Sequence, residues 1–449
     1  PPVPCPGRLC EGRPAADAPS SLCQRAPGSS FRARALKFFR LRGNMGMMGW
    51  LIGRGAKRKR DCDEGDEEGA QGCKQLNAGD LSGTRGGGPA MSSPSRAGAP
   101  ERMRVCVVGA GAIGCHIAYT LDRAGSDVAL IARGPNLEAL RREGLRMTIL
   151  GEEVGHVKIR ATSDPREVGE VDYVFLTMKV SSFNAQTAAM IQPLIGERTT
   201  VLPPTTSIPY WWFYGLRGSF EQMRLEGVDP GGALWSLLPP EKVVGFTMWL
   251  SAVRLGPGRV LLRHVQRGYP LGELDGSRSK RVEQLATAFE RGGVPSPCVP
   301  CIRSEIFIKS LNSLAFNLVA VLGDARNSDI AECPEAVETL RAVMSECEDV
   351  AGALGLTIAQ PADARIRQTL SARMHTMSML HDLRAGNSLE LRALWTSFQD
   401  LAAATGRRLP VTCALVGAAL LREASELRRR SEADARELAV TDAALAADI

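Results

Sequence analysis

Long apolar runs are missing from this 449-residue chain. None reaches the roughly 18 residues that a membrane-spanning helix needs, so no membrane span is expected. Histidine is scarce, at 5 residues, and is nowhere clustered. The single C-x-x-C, Cys298-Val-Pro-Cys301, has no second pair or histidine group to complete a zinc set, so no metal is expected. The thioredoxin-like setting of a redox pair is missing around it too. Charge of one sign is not concentrated. A net charge of +6 falls short of the dense basic face of nucleic-acid binders, and no nucleic-acid partner is expected.

What is present suits an intracellular protein. The 12 cysteines are scattered, with Cys106 inside an apolar strand and Cys115 opening a helix. That is how reduced thiols are used, and a cytoplasmic location is expected. Hydrophobic content of 44% suffices for sizeable cores, and the length suits two or three domains.

Residues 1–102 are of different material. Gly, Pro, Ser, Ala and Arg dominate without hydrophobic period, so the segment is read as a disordered extension. Lys57-Arg-Lys-Arg60, followed by an acidic run, reads as a solvated charge run or a nuclear-import signal. The first sixty residues hold only the acids Glu11 and Asp17, which also suits an organelle transit segment. The chain starts at Pro1, so a fragment or mistranslated upstream sequence is an equal reading.

The strongest motif is Arg104-Val-Cys-Val-Val-Gly-Ala-Gly-Ala-Ile-Gly114. A short apolar strand leads into Gly109, Ala110, Gly111, Ala112, Ile113 and Gly114, and a helical period follows. In G-x-G-x-x-G the glycines serve the tight turn, the approach to pyrophosphate and helix–strand packing. The following helix offers free N–H groups to the phosphates. A second strand, Asp127–Ala132, lacks the terminal acid that would hold a ribose 2′-OH. Arg133 stands there instead and suits a 2′-phosphate, so NADP(H) is the expected cofactor.

Alternating strands and helices continue to about residue 300. They include the apolar strand Val171–Met178 and further strands at 145–161 and 243–275. This predicts an α/β fold with an N-terminal Rossmann-type, doubly wound parallel sheet over 103–300. Helical periods at 305–322, 333–354, 364–374, 389–405 and 412–430 predict a mostly α-helical C-terminal domain over 301–430, with a charged helical tail at 431–449. The cofactor would face the cleft between the two.

The first long helix of the second domain carries Lys309 among Ile306, Phe307, Ile308 and Leu311. Such a lysine either snorkels to water or is buried with a task. Asn317 lies about two turns on, near the same face.

These motifs together resemble the ketopantoate reductase family (2-dehydropantoate 2-reductases). The likeness rests on Gly109–Gly114, Arg133 and Lys179 in Thr177-Met-Lys179. It rests also on Lys309 and Asn317 in a K-x-x-x-N-x-x-x-N pattern, and on Ser378-Met-Leu-His-Asp382 with Glu390. Gly272–Asp275 and Val228–Gly232 also resemble stretches of members. The resemblance spans about 103–425. It implies NADPH-dependent reduction of a 2-keto acid to a 2-hydroxy acid, most directly 2-dehydropantoate to pantoate in pantothenate biosynthesis. Lys309 would be the general acid, with Glu390 on the substrate hydroxyl. Ser378 and Asn317 would hold carboxylate and carbonyl oxygens, and Lys179 would lie near the cofactor. A homodimer is a possible assembly.

Two positions depart from the family. Ser313 replaces the middle asparagine, with Asn312 beside it. Thr206 and Ser207 replace an Asn-Gly ahead of Ile208-Pro-Tyr-Trp-Trp212. A hydroxyl is shorter than an amide and donates once, and a lost glycine can alter the backbone. Two alternatives therefore stand beside the first reading. One is a reductase of a bulkier 2-keto acid, accommodated by Trp211, Trp212, Phe213 and Tyr214. The other is a non-catalytic NADP-binding regulator.

Overall fold

A computed structural model describes residues 102–447 except 150, 151, 217 and 222. The expectations placed on the N-terminal hundred residues lie outside the described part. The chain runs β1 (Arg104–Val108), α1 (Ala112–Arg123), β2 (Asp127–Ile131), α2 (Gly134–Glu143), β3 (Leu145–Ile149), β4 (Glu152–Val157) and β5 (Arg160–Thr162). Next come β6 (Tyr173–Leu176), α3 (Ala185–Met190), β7 (Thr200–Leu202), α4 (Ala233–Leu237), β8 (Gly245–Phe246), β9 (Trp249–Gly256), β10 (Arg259–Gly268), β11 (Leu271–Gly272) and α5 (Lys280–Arg291). The helical part comprises α6 (Ile302–Gly323), α7 (Asn327–Ala331), α8 (Pro334–Ala353), α9 (Ala362–Leu370), α10 (Ser378–Arg384), α11 (Leu391–Thr405) and α12 (Pro410–Ala447).

The parallel sheet has the order β5-β2-β1-β6-β7. Its strands are apolar on both faces because both are covered. Val105, Val107, Val128, Leu130, Tyr173 and Phe175 enter a core shared with α1 and α5. Cys106, Val108, Ala129, Ile131, Val174 and Leu176 point the other way. That second core continues without a break into α6, α8, α10 and α11. One face of the dinucleotide-type sheet and the helical part are thus one hydrophobic body.

The strands at 145–161 and 243–275 do not extend the parallel sheet in full. β4, β3, β10 and β9 form a separate four-stranded sheet, and β11 pairs with β8. Nothing in a local strand pattern says which sheet it joins. Helix α6 is the only described one long and apolar enough to cross a membrane, and 61% of its most apolar window is buried inside the protein. Its charged and polar residues break the apolar run, as the sequence showed. Helix α12 passes through residue 430 without interruption. Asp229 of Val228–Gly232 accepts N–H bonds from Leu234 (2.8 Å) and Trp235 (2.9 Å), so that motif starts α4.

Candidate active site and cofactor-binding loop

The glycine loop joins β1 to α1. Gly109 has φ +109°, outside the range of most side chains, and a Cβ there would sit 3.0 Å from the Met178 nitrogen. At Gly114 a Cβ would come within 2.0 Å of the Gly109 carbonyl oxygen, so only glycine lets the helix approach. At Gly111, by contrast, nothing lies within 4 Å of an added Cβ. Helix α1 has no acidic residue in its first turn and no side-chain cap. The amides of Ala110 and Gly111 find no acceptor among the described residues. Open space beside unpaired amides at a helix start fits a dinucleotide pyrophosphate.

Ala110 is buried against β1, and Ala112 and Ile113 form the half-buried first turn of α1. Arg133 is separated from the end of β2 by one residue and caps α2 while remaining exposed, with Nη2 3.2 Å from the Met190 sulfur. Met190 also lines a cavity of about 450 Å³ with Ser163, Asp164, Arg166 and Pro193. The guanidinium thus stands beside a concave surface at the strand ends.

Lys179 and Glu390 join the two halves of the molecule. Lys179 Nζ pairs with Asp382 Oδ1 at 2.8 Å and donates to the Ser388 carbonyl at 3.3 Å. The Val180 N–H donates to Glu390 Oε1 at 2.7 Å. Burial raises the Glu390 pKa, opposed by that N–H and by Lys179.

Lys309, Ser313 and Asn317 stand one turn apart on α6. Lys309 is half-buried, has no carboxylate partner among the described residues, and lies 5.3 Å from the centre of the Trp249 ring. Burial lowers its pKa from the ordinary 10.5. The nearby Glu305 is already engaged by Trp249 Nε1 at 3.1 Å and Arg267 at 2.9 Å. His375 is held toward its neutral form by burial first, then by His381, Arg263 and Lys309. Asn317 is buried; its Nδ2 donates to the Ser313 carbonyl at 2.7 Å and lies 3.3 Å from Ser313 Oγ. Its Oδ1 accepts from the Met379 N–H at 2.9 Å, which fixes the start of α10. Ser378, the first residue of α10, is exposed. No hydrogen bond or ion pair joins Lys309 to Glu390 among the described residues.

A family model described as ketopantoate reductase PanE/ApbA matches residues 105–204, and its C-terminal counterpart matches residues 302–423. The 2-dehydropantoate 2-reductase of Mesorhizobium japonicum is 35% identical over 316 residues, covering 70% of this chain and 96% of the relative. The chain belongs to the ketopantoate reductase family. It is an NADP-dependent oxidoreductase acting on CH–OH groups. The crystal structure of a PanE/ApbA family ketopantoate reductase from Ralstonia eutropha JMP134 covers 72% of this chain and 99% of its own, with TM-score 0.59 and 26% identity. A D-mandelate dehydrogenase solved with NADH and anilino(oxo)acetate shares the fold, with TM-score 0.60 at 20% identity, covering 72% of this chain and 99% of its own.

Against the ketopantoate reductase pattern, the two departures can now be placed. Asn312 does not stand in for the missing asparagine: its Oδ1 accepts from Arg365 at 2.8 Å, away from the Lys309 stripe. Thr206 is half-buried, between Thr205, whose buried hydroxyl has no partner, and buried Ser207. Ser207 does not have positive φ, since Asp324 is the only such non-glycine among the described residues. The lost glycine therefore imposes no left-handed strain. Trp211, Trp212 and Phe213 are at most 1% exposed and belong to the core. Arg303 at the start of α6 donates to the Trp212 carbonyl at 2.7 Å and to the Tyr214 and Leu274 carbonyls. Trp211, Trp212 and Phe213 are thus structural, and of the four aromatic residues only Tyr214 is half-buried. Sequence reading missed Trp249, Arg303 and Asn136, because their partners lie far away along the chain.

Proposed function

We propose that the chain reduces 2-dehydropantoate to pantoate with NADPH. The carrying observation is Lys309, a half-buried cation flanked by Ile306, Phe307, Ile308 and Leu311, with no carboxylate partner among the described residues. Bound NADPH supplies a hydride for the C2 carbonyl carbon. As that carbon is reduced, the Lys309 ammonium donates its proton to the carbonyl oxygen. A poorly solvated ammonium stabilises developing oxyanion charge far better than one in water. Glu390 accepts the Val180 N–H with one oxygen and keeps the other for the substrate hydroxyl. Ser378 offers its hydroxyl to the carboxylate. Asn317 assists by fixing α10 beneath Ser378. Ser313 and Thr206 supply hydroxyls where relatives place amides.

The loop Gly109–Gly114, Arg133 and Lys179 hold the cofactor. Two of the three Lys179 donors are used, leaving one for it. In this reading residues 103–300 bind NADPH, and 301–430 carry the substrate chemistry. The protein works in the cytoplasm as a homodimer, which sedimentation of the purified chain tests. The seven described cysteines are all unpaired, in keeping with a reducing compartment.

The test is NADPH oxidation by the purified protein, offered 2-dehydropantoate beside a panel of other 2-keto acids. Strong preference for 2-dehydropantoate supports the reading. Preference for another keto acid keeps the mechanism and replaces the substrate. NADPH binding without turnover of any keto acid overturns the catalytic assignment.

A further inference from the structure

Two side chains outside the glycine motif hold its peptide planes. Thr177, after β6, donates through Oγ1 to the Gly109 carbonyl at 2.7 Å. Asn136, in the first turn of α2, donates through Nδ2 to the Ala110 carbonyl at 2.7 Å. The Cys115 thiol makes a longer contact, 3.5 Å, to that same oxygen. The other end of the Asn136 amide is also used: its Oδ1 accepts the Gly258 N–H at 2.8 Å. A carbonyl on one side and an N–H on the other fix which way the amide faces.

The consequence follows from the planarity of the peptide. In a trans peptide the C=O and the following N–H point in opposite directions. A donor that fixes the Gly109 carbonyl therefore aims the Ala110 N–H. A donor that fixes the Ala110 carbonyl aims the Gly111 N–H. These two amides find no acceptor among the described residues and border the open space at Gly111.

We propose that Asn136 is a positioning residue for the cofactor, holding the Ala110–Gly111 peptide so that its N–H meets the pyrophosphate. Its second hydrogen bond ties the loop to the β9–β10 turn. At the opposite end of that hairpin, Trp249 lies over Lys309. Asn136 thus braces the cofactor loop against the element that also covers the lysine.

Asn136→Asp tests this sharply. It keeps size and the acceptor for Gly258, but sets an acceptor against the Ala110 carbonyl. NADPH affinity, measured directly by fluorescence titration, should weaken about tenfold or more. The KM for the keto acid and kcat at saturating NADPH should change far less. Thr177→Val should weaken NADPH binding in the same way, and Thr177→Ser, which keeps the hydroxyl, should restore it. Thermal midpoints without cofactor separate this from a loss of fold. If Asn136→Asp binds NADPH like the wild type, or lowers midpoint, kcat and both affinities together, the proposal fails. Binding by the wild type, measured first, tests the cofactor assignment separately.

Discussion

At the residue scale, the proposed function rests on where a few charges are left unpaired. Burial holds Lys309 below its ordinary pKa, with no carboxylate among the described residues to raise it. The acid form donates the proton, so activity should be present below that pKa and lost as pH rises through it. The alkaline limb of kcat/KM should therefore fall at a pH below 10.5, the ordinary lysine value. Lys309→Ala should remove that limb and lower kcat by roughly 10²–10⁴-fold, with NADPH affinity retained. In the proposed reading Arg133 serves the other end of the cofactor. It is exposed and has no carboxylate partner among the described residues, so its guanidinium is available to a phosphate. Arg133→Ala should weaken NADPH binding by about tenfold and leave NADH binding nearly unchanged. Competitive titration of the two cofactors measures this. Equal losses for both would sink the 2′-phosphate role.

At the element scale, the glycine loop separates packing from binding. A methyl at Gly114 meets the Gly109 carbonyl oxygen at 2.0 Å and must drive α1 from β1. Gly114→Ala should cost about 1–3 kcal/mol of stability, read from urea unfolding without cofactor. A methyl at Gly111 meets nothing within 4 Å among the described residues. Gly111→Ala should leave that unfolding curve in place and weaken NADPH binding, because the methyl enters the space of the pyrophosphate. Helix α10 gives a second case. Its start is fixed by Asn317 from α6, so Asn317→Ala should cost about 1–2 kcal/mol. It should also raise the KM for the keto acid through Ser378.

At the scale of the whole molecule, the sheet and the helices cannot be treated as independent. One continuous core includes Val108, Ile131 and Leu176 of the sheet with Phe307, Leu380 and Phe398 of the helical part. Full-length protein should unfold in one urea transition, with tryptophan fluorescence and circular dichroism coinciding. A fragment of residues 103–300 would expose that face, together with Trp211 and Trp212. It should lack a cooperative transition and bind NADPH poorly. Two resolved transitions in the full chain would contradict a shared core.

The local sequence determined the glycine loop and most of the elements, though not α7 or α10. Strand β1, the three glycines and Arg133 are neighbours in the chain, so their chemistry is set by spacing that can be counted. Lys309, Ser313 and Asn317 are similarly ordered by the pitch of a single helix. Only the tertiary structure decided which strands leave the parallel sheet and that the aromatic turn at 211–213 is core. It also decided that Asn312 turns to Arg365, Lys179 to Asp382, and Asn136 to the loop and the β9–β10 turn at once. These contacts join residues far apart in the chain. A side chain's partner across such a distance is chosen by packing, and no local period or motif encodes it.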